Sequence, residues 1–131
     1  MPFSFENLDV YQKSLSLVQQ LDSLNRSLSG KVSRSFHDQL SRAALSIPLN
    51  IAEGNGRWHK KEKQQFFWIA RGSVFEVVAI LQVVKKSGVL AANEYGGHYG
   101  NLESISRMLT NLIKSVDNLN QEKLHGVEGS K

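Results

Sequence analysis

SRAALSIPLNIAEGNGRWHKKEKQQFFWIARGSVFE, residues 41–76, is the stretch whose reading decides the fold. With Leu40 just before it, the apolar positions run Leu40, Ala43, Ala44, Ile47 and Ile51. That spacing marks one face of an α-helix. Leu45, Leu49 and Ala52 widen the apolar face. Pro48 falls inside and removes one backbone donor, which frees the carbonyl of Ala44. Either a kinked helix or two short helices broken at Ile47 fits a proline there, and the unbroken periodicity favours the kink. Gly54, Asn55 and Gly56 then end the helix, since both residue types tolerate a left-handed cap.

Downstream, a second helix is expected over 60–86. Between positions 66 and 84, fourteen of nineteen residues are apolar. That length raises a membrane span, but Arg71, Glu76 and Gln82 lie inside it and charge is costly in hydrocarbon. A soluble helix buried on most sides is the better reading. Phe66, Ala70, Val77 and Val84 fill one stripe, Phe67, Val74, Val78 and Leu81 a second, and Trp68 with Phe75 point elsewhere. One bundle buries about one stripe per helix, so this surplus predicts self-association.

Three motifs carry a resemblance: SIPLNIAEGNGR, then IARGSVFEV, then ISRMLTNLIKS. Together they resemble a bacterial four-helix-bundle family. It includes the proteins encoded by intervening sequences in ribosomal RNA genes and the accessory protein of diversity-generating retroelements. The resemblance spans about residues 5–119. It implies an antiparallel up-down-up-down four-helix bundle, assembled as a ring of five, with no known catalytic activity and an association with nucleic acid. Periodicity alone does not count subunits, and a dimer is the alternative to the ring.

The rest of the chain fits an all-α domain. At 131 residues, one domain over 1–120 with a disordered tail over 121–131 is expected. Helix one is expected from Asn7, with stripes Leu8, Tyr11, Leu15, Val18 and Val10, Leu17, Leu21, Leu24, Leu28. Ser29-Gly30 closes it, and Ser33 or Ser35 caps helix two, with Asp38 in its first turn. Glu62, three residues after His59, supplies half of a capping box for helix three. Helix four carries Tyr95, Leu102, Ile105, Leu109, Leu112, Val116 and Leu119 at heptad-like spacing. Gly96, Gly97 and Gly100 weaken its first turns. The expected core is Ile47, Ile51, Phe66, Ala70, Val77, Leu81, Ile105, Leu109 and Leu112.

Net charge is +4, which permits acidic or nucleic-acid partners without requiring them. The chain has no cysteine, so no disulfide or thiolate site. The N-terminal run reads as no signal peptide, and cytoplasm is expected. None of the four histidines pairs with another ligand at i+3 or i+4 in a metal pattern, so no metal and no cofactor is expected. Glu53 and Glu76 as an acid–base pair are the outside case for an enzyme. Glu53 and Arg71 are expected instead to form a structural ion pair within the bundle. The functional lead is basic. Arg57, Lys60, Lys61 and Lys63, less Glu62, give +3 within seven residues, with Trp58 and His59 among them. Such residues neutralise phosphates and stack on an unpaired base; a solvated corner with Trp58 folded back is the bland alternative. The expected function is a non-enzymatic oligomeric protein binding RNA, DNA or a nucleic-acid-processing partner. The alternative is a protein-interaction scaffold without nucleic-acid contact.

Overall fold

Every long apolar stripe in the sequence becomes a helix packed on its neighbour. In the computed structural model, residues 3–129 are described, with the side chains of 3–118. The expected tail, 121–131, has its side chains outside the described residues. A short 3-10 helix, Ser4–Asn7, precedes α1 (Asp9–Ser27), α2 (Arg34–Gly56), α3 (Lys60–Lys86) and α4 (Ala92–Gly129). Among the described residues there is no strand. The four helices form a four-helix bundle.

Contacts go round a square. α1 packs on α2, α2 on α3, α3 on α4 and α4 on α1, while among the described residues the backbones of the diagonal pairs stay further apart. Polar side chains fix the levels. Ser46 Oγ and Ser73 Oγ lie 2.8 Å apart across α2 and α3, and Asn50 Nδ2 donates to Ser46 Oγ at 2.9 Å. Between α1 and α4, Lys13 Nζ donates to Ser104 Oγ and Asn101 Nδ2 to Gln20 Oε1, both at 3.1 Å. Between α1 and α2, Asn25 Nδ2 donates to the carbonyl of His37 and to Ser41 Oγ. Adjacent helices run antiparallel, as three short connections demand.

The core holds Leu17, Leu21, Ile47, Ile51, Val74, Val77, Leu81, Leu102, Ile105 and Leu109, all essentially inaccessible. Two expected members differ. Phe66 and Leu112 are only half-buried, and Phe67 is the fully buried ring instead. On a helix of 3.6 residues per turn the two phenylalanines point about 100° apart, and only one reaches the seam.

α2 runs unbroken through Pro48, which is itself buried. The helix stops at Gly56 without a left-handed glycine: Arg57 is the C-cap in extended conformation, its N–H donating to the carbonyl of Gly54. The left-handed glycines lie instead after α1 and α3, at Gly30 (φ 77°) and Gly88 (φ 84°). Gly54 serves packing. A Cβ there would lie 2.7 Å from Cε1 of Phe67. α1 starts at Asp9 with Leu8 as N-cap, because Asn7 is taken up by the 3-10 turn. Ser33 stands at the N-cap position of α2 in extended conformation without a side-chain capping hydrogen bond, and Asp38 falls just beyond the first turn. α3 has the expected bounds. It is long and apolar enough to cross a membrane by length and composition, and it supplies Phe67, Ala70, Val74, Val77, Leu81 and Val84 to the core.

Candidate nucleic-acid interface

The α2–α3 connection is three residues, Arg57, Trp58 and His59, so the helix ends bring all the cations of the cluster to one end of the bundle. Trp58 does not fold back: it is 91% exposed, the most open large apolar side chain described. Lys61 is exposed beside it, with no ion pair among the described residues.

The other cations are held in place. Arg57 Nη2 lies 3.2 Å from Glu53 Oε2 and Nη1 lies 3.8 Å from Glu62 Oε2, with the guanidinium 4.8 Å from the Phe66 ring centroid. Lys60 Nζ lies 2.8 Å from Asp117 Oδ1 on α4. That ammonium, with Gln64 adding a further hydrogen bond, holds the Asp117 carboxyl below the usual carboxylate range. Lys63 Nζ donates to the carbonyl of Asn55 at 2.7 Å, closing the end of α2. Three carboxylates therefore stand among the four cations. Glu53 and Glu62 are near in sequence, but Asp117 reaches the site only through the fold.

The expected Glu53–Arg71 pair does not form. Ser46 faces Ser73 and Gly54 faces Phe67, so the level of α2 opposite Arg71 is that of Pro48 and Leu49, about one turn from Glu53. Glu53 turns to Arg57, one turn along its own helix. Arg71 Nε donates to Thr110 Oγ1 at 3.1 Å, and its guanidinium lies over Phe75 (4.5 Å) and Trp68 (5.4 Å). Glu53 and Glu76 are not brought together either. Glu53 stands near the level of Phe67, and Glu76 lies nine residues further along α3, about 13 Å at the helical rise.

Elsewhere, an apolar groove of about 380 Å³ between α3 and α4 is lined by Phe75, Val78 and Tyr99. Its one acid, Glu103, is tied to Arg107 at 3.1 Å. Among the described residues no His, Asp and Glu cluster could hold a metal. His98 Nδ1 is buried without a partner, and burial pulls the imidazole below its ordinary value against an opposing pull from Glu94.

Residues 6–111 match the profile of the family described as 23S rRNA-intervening sequence protein. The chain belongs to this family. As a 23S rRNA-intervening sequence protein it also resembles a solved structure. A protein of unknown function from the S23 ribosomal protein family of Bacteroides thetaiotaomicron matches with a TM-score of 0.76 at 21% identity, over 80% of this chain and 98% of that one. That likeness establishes the fold. No curated protein matches the chain.

Proposed function

We propose that this family member is a non-enzymatic, oligomeric, cytoplasmic protein that binds nucleic acid through the α2–α3 end of its bundle. Trp58 carries the reading. An indole 91% exposed on a three-residue turn, with Arg57, Lys60 and Lys61 adjoining it, suits a single strand whose base stacks on the ring while its phosphates meet the cations. Exposed ion pairs such as Arg57–Glu53 contribute little to stability, so exchanging them for phosphate contacts is inexpensive. The family's description ties its members to the intervening sequence of 23S rRNA, which makes RNA the first ligand to test. A ring of copies would repeat the cluster around one rim and sum weak contacts into useful avidity. Five copies follow the family resemblance, and two are the alternative.

The scaffold reading, with no nucleic-acid contact, is favoured by one observation: Glu53, Glu62 and Asp117 locally offset the cations. A salt titration separates the two. Single-stranded RNA and DNA 20-mers are titrated against the protein from low to physiological salt. Nucleic-acid binding should weaken steeply with salt. Lys60→Gln, Lys61→Gln and Lys63→Gln together should make the single-strand salt slope shallower by about 2. Trp58→Ala should weaken single-strand binding without changing that slope. No binding by the unmodified protein at low salt would leave the scaffold reading in its place.

A further inference from the structure

α2 and α3 each carry a second apolar stripe on the side away from the core. On α2 it reads Leu45, Leu49, Ala52, Gly56; on α3 it reads Trp68, Gly72, Phe75, Ala79. Both have the spacing i, i+4, i+7, i+11, that of a coiled-coil seam. The large members are half open to solvent: Leu45 49%, Leu49 55%, Trp68 50% and Phe75 52%. The 3-10 turn reaches the end of the α2 stripe, with Phe5 beside Leu49, Ala52 and Gly56, yet Leu49 stays half open and no helix among the described residues packs over either stripe. An exposed seam of this length on a soluble protein calls for a partner.

We infer that the α2 stripe of one copy docks against the α3 stripe of the next, which rests on the oligomer reading above and names its interface. Three observations favour this occupant. The first is the matched spacing, which lets two helices interdigitate over the same length. The second is direction. α2 and α3 are antiparallel within the chain, so in a ring whose axis runs along the bundle α2 meets the neighbour's α3 antiparallel and at the levels seen within one chain. The third is size. Those levels, fixed by Ser46 opposite Ser73 and Gly54 opposite Phe67, put Leu49 beside Gly72 and Ala52 beside Trp68. In these two pairs a large side chain meets a small one, as seam packing requires, and the same levels set Leu45 against Phe75, an apolar pair that covers two exposed side chains. Apart from its chain neighbours and the adjoining helix backbone, nothing lies within 4 Å of where a Cβ on Gly72 would stand, so within one copy that space is open for the neighbour's Leu49.

The contact joins two different surfaces, so it is heterologous and must close as a ring or grow as a filament. Outward directions of adjacent helices in a square bundle diverge by about a right angle, which turns each copy relative to the last and favours closure. α3 docked on α3 across a two-fold axis would instead leave Leu45 and Leu49 uncovered.

The chain contains no cysteine, so a cross-link reports the contact directly. Leu49→Cys with Gly72→Cys in one chain is oxidised at low micromolar concentration and run on a non-reducing denaturing gel. The docking yields a ladder of covalent multimers ending at the ring size, and each single variant stays at one chain mass. Two results overturn it: the double variant stays at one chain mass, or Gly72→Cys alone gives as much dimer as the double. Sedimentation of the unmodified chain separates the failures. An oligomer without the cross-link removes this interface and keeps the assembly. A single chain removes both.

Discussion

Gly54 shows what one residue decides here. Its missing Cβ admits the Phe67 ring at the narrowest point of the α2–α3 pair. Gly54→Ala gains about 1 kcal/mol of helix propensity, but it overpacks a core ring, which costs about 1–3 kcal/mol. A net loss of about 1 kcal/mol in urea unfolding is expected. Gly100→Ala, where a Cβ meets nothing within 4 Å, should gain up to about 1 kcal/mol by the same assay. Ile51, fully buried, should cost about 2–5 kcal/mol on truncation to Ala. His98 gives a pH signature. Its folded value lies below the ordinary 6.5, because burial disfavours the cation. The unfolded chain therefore takes up the proton first as pH falls. The contribution of His98 is complete above 6.5 and is lost as pH drops from there through the folded value. His98→Gln should flatten the stability–pH curve in that window, and an unchanged curve would show that the imidazole is solvated in the folded protein.

At the scale of elements, much was legible in sequence and the misses have physical causes. α3 keeps its expected bounds because its periodicity is long, with His59 before it and Gly88 after it. Ile47, Ile51, Ala70, Val77 and Leu81 were readable as core because period 3.6 leaves them one face. Phe66 was misplaced because two adjacent aromatics both fit a window and only the neighbouring helix chooses between them. The glycine cap on α2 was misread because Gly54 is needed for a close approach, a demand that appears only with Phe67 in place. Glu53 and Arg71 looked like partners because both interrupt apolar runs, yet the level of the hairpin separates them by about one turn. The basic cluster was readable as a run, but its tie to Asp117 spans the fold and leaves no local signal. That tie makes a prediction. Asp117→Asn removes an anion from the site, frees Lys60, and should strengthen single-stranded RNA binding several-fold at low salt, with a steeper salt slope. Unchanged affinity would place the nucleic-acid contact elsewhere.

At the scale of the whole molecule, one bundle leaves apolar surface on the outer corners of two adjacent helices. Surplus of this kind is normally covered, and interfaces that form with the fold are large and apolar. Leu49→Arg and Phe75→Arg each place a charge in a different half of the same seam. Both should dissociate the assembly while keeping the helical circular dichroism of the parent, since neither side chain belongs to the core. The most direct measurement is sedimentation equilibrium of the unmodified chain at low micromolar concentration, in moderate salt. A single species at an integer multiple of 14.7 kDa, stable to dilution and with five copies expected, is what the account predicts. A species at 14.7 kDa would contradict it, because the exposed stripes of α2 and α3 would then face water.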